Sequence, residues 1–145
     1  LVSIKNILFF AVTASAAVII PRADVNATAT ADIKTIRTDI QALTSASNSY
    51  SGGLTNALKV QDAYSTLDKA IQSATTDANS FSQQDTYTSR YIISQIEAAE
   101  PDVKAAVDAI IAKKSQFTAD GVASLVKSDI ANLKKDSDAL ADACK

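Results

Sequence analysis

The chain has 145 residues, of which 47% are hydrophobic and 21% are charged, with three glycines, two prolines and a net charge of −2 at pH 7. It has too many aliphatic residues for a disordered chain, and too few turn-forming residues for a β-sandwich or barrel. A chain of this length can bury a core without disulfides or metals, so we predict one all-α domain.

The first 22 residues have the layout of a secretory leader. Lys5 precedes an apolar run at residues 7–12, and small residues forming an A-x-A cleavage motif follow it. The apolar stretch is shorter than the roughly twenty residues needed to span a membrane, so we predict no transmembrane segment. We expect a signal peptide at residues 1–17, a short pro-segment at 18–22 and a secreted helical domain over residues 24–145.

Three features of the secreted domain concern its partners and covalent modifications. Without residues 1–22 it has 12 basic and 16 acidic residues, a net charge of −4, so we expect no nucleic-acid partner. Asn26 begins an N-x-S/T sequon just before the predicted first helix and is the candidate for glycosylation. Cys144 is the only cysteine, so in a chain expected to be a monomer it is either a free thiol or an intermolecular link.

Apolar residues at alternating spacings of three and four predict a series of amphipathic helices. The first runs from about Thr28 to Tyr50 and ends at Ser51-Gly52-Gly53, which suits a tight turn. Its predicted inward side contains Ile33, Ile36, Ile40, Leu43, Ser47 and Tyr50. The second runs from about Leu54 to Ala78, and a loop carrying Phe81 follows at residues 80–86. Its apolar side is predicted to contain Leu54, Leu58, Leu67, Ile71, Ala74 and Ala78, with Tyr64 at the edge.

Three further helices are predicted in the second half. One runs from about Asp85 to Ala99, and Pro101 marks the start of the next because proline is tolerated in a first helical turn. The last two divide at Gly121 and end near Leu140. Five helices with short connections predict an up-and-down bundle with mostly antiparallel neighbours. The apolar faces are Tyr87, Tyr91, Ile92, Ile96 and Ala99; then Val103, Val107, Ile110, Ile111 and Phe117; then Val122, Val126, Ile130, Leu133 and Leu140.

Groups that commonly carry catalysis are scarce. The chain has no histidine, which excludes a Ser-His-Asp triad, a Cys-His nucleophile and zinc sites built from Cys and His. The acidic pairs Asp136/Asp138 and Glu97/Glu100 fit solvated helix faces better than a hydrolytic site. We therefore predict a protein that is not an enzyme, with no metal site and no cofactor.

The apolar faces are what remains to be explained. A bundle core is the simplest explanation, but interior positions rich in alanine and β-branched residues allow either close helix packing or a tunnel. Burying a methylene contributes roughly 0.8 kcal/mol, so ten of them contribute about 8 kcal/mol before the costs of association. Lipid binding would therefore need little polar recognition.

Several segments share a recognisable pattern: Ile33-Lys34-Thr35-Ile36, Leu43 to Tyr50 with the Gly52-Gly53 break, Glu100-Pro101-Asp102-Val103, Lys113-Lys114-Ser115-Gln116-Phe117, Gly121 and Leu125-Val126. From about Asp24 to Ala143 this pattern resembles the fungal hydrophobic surface binding protein A family, which includes secreted and cell-wall galactomannoproteins. The resemblance implies an all-α bundle that either adsorbs to hydrophobic solids or captures fatty acids in an apolar cavity. Because the chain lacks the Ser/Thr-rich tail and anchor signal of longer cell-wall members, we expect a freely secreted, at most loosely wall-associated protein.

We predict a secreted, non-enzymatic protein that binds fatty acids or hydrophobic surfaces through apolar helix faces or an internal cavity. The alternative is a structural cell-wall mannoprotein scaffold with no ligand, and cell-wall polysaccharide is a further candidate partner. The angular positions of the residues around the predicted helices give the candidate lining residues: Phe81, Tyr91, Ile92, Ile96, Val107, Ile111, Phe117, Val126, Ile130 and Leu133.

Overall fold

The structure is a computed structural model that describes residues 22–81 and 86–144, with side chains from residue 25 onward. The predicted signal peptide, most of the pro-segment and most of the loop after Phe81 lie outside the described residues. The described part of the chain forms helices and no strand. The helices are α1 (Arg22–Asn48), α2 (Leu54–Ser80), α3 (Thr86–Glu97), α4 (Glu100–Ala112), α5 (Lys114–Ala119) and α6 (Ala123–Ala143).

The predicted all-α bundle is confirmed, and its helix count depends on how α5 is treated. Helix α5 has only six residues and continues α4 beyond Lys113, whose carbonyl accepts a hydrogen bond from the Phe117 amide at 2.9 Å. Together α4 and α5 correspond to the fourth predicted helix. The break before α6 lies where it was predicted, at Gly121, whose φ of +73° favours glycine.

Helix α1 begins earlier than the sequence pattern indicated. It starts at Arg22 instead of Thr28, because Val25 and Ala29 are buried and extend the inward-facing stripe by nearly two turns. Asn26 therefore lies inside α1, where its side chain is half-buried, and not in a segment before the helix.

The turn between α1 and α2 contains the predicted glycine pair, with φ angles of +96° at Gly52 and +83° at Gly53. Beside it, the fully buried Tyr50 donates a hydrogen bond from its hydroxyl to Asp120 Oδ2 at 2.5 Å. Its backbone carbonyl accepts one from Lys113 Nζ at 2.8 Å. These contacts join the α1–α2 turn to the segment between α4 and α6, and so close one end of the bundle.

Polar contacts fix the relative directions of the helices. Arg37 on α1 donates to Asp102 at the start of α4 at 2.7 Å, while Lys113 at the end of α4 reaches Tyr50, so α1 and α4 run parallel. Gln72 on α2 donates to Asp136 on α6 at 2.8 Å. The earlier α2 residue Tyr64 pairs with the earlier α6 residue Asn132, so α2 and α6 are parallel as well.

The chain direction alternates over α1, α2, α4 and α6, but the predicted mostly antiparallel neighbours are not observed, because the α1–α4 and α2–α6 pairs are parallel. The extensive contact of α3 is with α1, so α3 returns the chain to the α1 side before α4 begins. The packed order is then α4–α1–α2–α6. Helices α4 and α6 stand at its two ends and, within the described residues, do not pack extensively against each other.

Two predicted apolar faces differ from the observed ones. On α2, Leu54 and Leu58 are exposed, because the buried stripe runs through Val60, Tyr64, Leu67, Ile71 and Ala74 and both leucines fall outside it. On α3, Tyr87 is exposed and Tyr91 lies at the edge, since the residues that turn inward are Thr88 and, just after the helix, Ala99.

Candidate apolar ligand site between α4 and α6

Helix α4 contacts α1 through small residues. Its two buried positions are Ala106 and Ala109, so the helix can approach α1 closely. The larger aliphatic residues of α4 lie beside that contact and are less buried: Val103 and Ile110 are half-buried, and Ile111 is 59% exposed. The apolar face of α4 is therefore only partly covered by the rest of the bundle.

Polar groups connect α6 to α2 beside their shared apolar core. Gln72 Nε2 donates to Asp68 Oδ2 at 3.0 Å and to Asp136 Oδ2 at 2.8 Å, bridging the two helices. Burial raises the pKa of the Asp68 carboxyl, and the neighbouring Asp136 carboxyl raises this pKa further. Leu133 is half-buried and lines the same space as Leu67 and Ile71 of α2, and Ile130 is exposed.

A cavity of about 130 Å³ lies between these two partly covered faces. Residues of α1 and α2 form its floor, and residues of α4 and α6 form its side walls. The lining residues are Ile36, Ile40, Leu43, Leu67, Ile71, Val103, Ala106, Val107, Ile110, Ile111, Ile130, Leu133, Ser137 and Leu140.

The cavity opens along the edge where α4 and α6 fail to pack. Ile111 on α4 and Ile130 on α6 both line the cavity and are exposed, so they mark its mouth. Because these two isoleucines belong to different helices, the mouth lies between α4 and α6. An apolar chain could therefore enter sideways between the two helices.

Charged side chains follow the outer edges of the mouth. Lys104 pairs with Asp108 at 2.5 Å on α4, and Lys134 pairs with Asp138 at 2.6 Å on α6. Each pair joins residues four apart on its own helix. The inside of the cavity has no such groups, since Ser137 is the one lining residue with a polar side chain.

Four of the ten predicted lining residues lie on the cavity wall: Val107, Ile111, Ile130 and Leu133. Phe117 is instead buried at the end of the bundle, with its ring centroid 4.5 Å from that of Tyr50. The remaining predicted residues are elsewhere: Phe81 caps α2, Tyr91, Ile92 and Ile96 lie on α3, which packs on α1, and Val126 packs against the core. Contact of any of the ten with a ligand stays a prediction.

Sequence reasoning missed the floor of the cavity. Ile36, Ile40 and Leu43 on α1, and Leu67 and Ile71 on α2, were recognised only as members of apolar stripes. Periodicity identifies such residues as inward-facing, but it cannot tell a residue that touches a neighbouring side chain from one that borders empty space. The positions of α4 and α6 were needed to make that distinction.

The family model for hydrophobic surface binding protein A matches residues 26–145 of this chain. The chain belongs to this family. A solved structure described as the crystal structure of AfMp4p in complex with palmitic acid is 38% identical in sequence and has a TM-score of 0.79. The match covers 82% of this chain and 79% of that one. Curated protein sequences gave no significant match.

The family resemblance noted from the sequence is thereby confirmed, and the fold agrees with it. None of the helices in the described part of the chain combines the length and the apolar run that crossing a bilayer requires. Burial raises the pKa of the Cys144 thiol, which keeps it protonated and weakly nucleophilic at neutral pH. The feature of the described residues best suited to binding a molecule is the apolar cavity.

Proposed function

We propose that this chain is a secreted, non-enzymatic carrier that binds a long aliphatic ligand, such as a fatty acid, in the cavity between α4 and α6. The main support for the proposal is the cavity of about 130 Å³, whose lining residues are aliphatic except for Ser137. The palmitic acid complex of AfMp4p supports it, because that structure shares the fold at 38% identity.

The size of the cavity implies that a long ligand extends beyond it. An engineered apolar cavity of about 150 Å³ in another protein accepts one benzene ring, so the space here accommodates roughly six carbons. The rest of a longer chain would lie along the mouth, over Ile111 and Ile130, or would push α4 and α6 apart. Six buried methylenes contribute about 5 kcal/mol before the costs of association, so affinity should increase with chain length.

The absence of tryptophan from the chain provides a direct test. Ile111→Trp places an indole at the mouth, where it is exposed until an aliphatic chain covers it. Leu54→Trp is the matched control, because Leu54 is 74% exposed at the start of α2 and does not line the cavity. We expect palmitic acid to cause a saturable blue shift in Ile111→Trp emission and none in Leu54→Trp.

The same experiment can reject the proposal. Equal shifts in the two variants would indicate adsorption of lipid to the general surface. No shift in either variant, together with no lipid in an organic extract of protein purified without detergent, would favour the scaffold interpretation.

A further inference from the structure

We propose that the cavity selects its ligands by their apolar chain and not by their head group, so that uncharged and cationic long-chain amphiphiles bind about as well as carboxylates. This inference rests on the proposed function and names the class of ligand more closely: any single-chain amphiphile, whatever its charge. It follows from the charges present inside the cavity and around its mouth.

Among the described residues, no group inside the cavity can neutralise a carboxylate. Of the fourteen lining residues, Ser137 alone has a side chain that can form a hydrogen bond. A buried carboxylate is strongly disfavoured unless a cation or several donors surround it, and one hydroxyl does not meet that need. The head group of a bound amphiphile must therefore remain at the mouth, in contact with water.

Beside the mouth, two ion pairs contribute no net charge. Lys104 and Asp108 precede Ile111 by seven and three residues, and Lys134 and Asp138 follow Ile130 by four and eight, so helical spacing places both pairs on the side of the opening. Each lysine already contacts the aspartate of its own helix, at 2.5 and 2.6 Å. Within these two pairs, an arriving carboxylate meets as many repelling groups as attracting ones.

The other cations near the site are either bound to groups of the protein or exposed to solvent. Arg37 is held by Asp102 at 2.7 Å, and the ammonium group of Lys113 donates to the Tyr50 carbonyl at 2.8 Å. Lys127 lies one turn before Ile130 and Lys114 one turn after Ile111; both are exposed to solvent, where a single ion pair changes affinity by about fivefold at most. The structure thus contains no fixed cation aimed at the mouth within its described residues.

The test compares three amphiphiles that share one chain and differ in charge: dodecanoate, 1-dodecanol and dodecyltrimethylammonium. Each is titrated, below its micelle concentration, against the protein carrying a displaceable fluorescent fatty acid. We expect dissociation constants that agree within about fivefold, because only exposed charges act on the head groups. We also expect the value for dodecanoate to be nearly independent of salt concentration.

The proposal would be overturned if dodecanoate bound about tenfold or more tightly than 1-dodecanol, which is the ratio that a specific head-group contact produces. It would also be overturned if Lys127→Gln weakened dodecanoate selectively. These results differ from failure of the proposed function, in which none of the three amphiphiles would displace the fluorescent fatty acid.

Discussion

A larger side chain on the cavity wall should weaken ligand binding without weakening the folded state. Ser137 is only 5% exposed and lies on the cavity wall among aliphatic side chains. The substitution Ser137→Phe adds one aromatic ring at this position. Because a cavity of about 150 Å³ holds one benzene ring, the new ring would occupy most of the 130 Å³ observed here.

The two expected effects have opposite signs. The ligand would lose the burial of about six carbons, worth roughly 5 kcal/mol at 0.8 kcal/mol per methylene. Since a ligand can still lie over Ile111 and Ile130 at the mouth, we expect a smaller but clear loss of at least ~100-fold in affinity. The free energy of unfolding should instead rise by about 1–2 kcal/mol, because the ring replaces empty apolar space.

Fluorescent fatty-acid titration and urea denaturation measure the two effects. Ala139→Phe is the matched control, since Ala139 is an exposed residue of the same helix and does not line the cavity, and it should change neither quantity much. If the space were already filled, Ser137→Phe would overpack the core and destabilise the protein by about 1–3 kcal/mol. That result, or unchanged affinity in a folded variant, would refute the assignment of the cavity as the ligand site.

Three further predictions concern stability. Because the pKa of Asp68 is raised in the folded state, the protonated carboxyl favours folding, and this stabilisation is lost as pH rises through the folded pKa. In urea denaturation, Asp68→Asn should therefore be more stable than the wild type by about 1 kcal/mol at pH 7, and by less near pH 3. Burial and, to a smaller extent, the Asp120 carboxylate raise the pKa of Tyr50 from 10.0 to about 12. The unfolded chain therefore loses this proton at lower pH than the folded protein, so the wild type should lose stability between these pH values. Tyr50→Phe should remove that alkaline loss and cost about 1.5 kcal/mol at pH 7; a wild-type alkaline titration that the variant reproduces would contradict the assignment. Gly52→Ala should lower the thermal midpoint by a destabilisation of about 1–2 kcal/mol, because φ is +96° and the new Cβ would lie 3.3 Å from Asp120 Oδ2; an unchanged midpoint would show that the turn relaxes.

Much of the helical pattern could be predicted because it depends on local rules. The Gly52-Gly53 turn and the Gly121 break follow from glycine's access to positive φ, and the inward stripe of α1 follows from spacings of three and four. Leu54 and Leu58 were assigned wrongly, because the pattern shows which residues are apolar but not where the neighbouring helices begin.

The arrangement of α4 was harder to predict for a physical reason. The large residues Val103, Ile110 and Ile111 dominate its apolar pattern, so they were expected to face the core. The positions that actually contact the bundle most closely are the alanines Ala106 and Ala109, because small side chains let two helices approach. The direction of α4 beside α1 also depends on α3, whose return path across α1 has no signature in the helical period.

The same contacts explain why the gap between α4 and α6 persists. Helix α4 is fixed to α1 near both of its ends, by the Arg37–Asp102 ion pair and by the hydrogen bond from Lys113 to Tyr50. Helix α6 is fixed to α2 by polar groups such as Gln72, whose hydrogen bonds would be broken if α6 moved towards α4. Because a hydrogen bond contributes about 0.5–1.5 kcal/mol, the loss of these exposed and half-buried contacts would oppose collapse of the apolar space. The cavity is therefore maintained by polar residues outside it, while aliphatic residues form most of its wall.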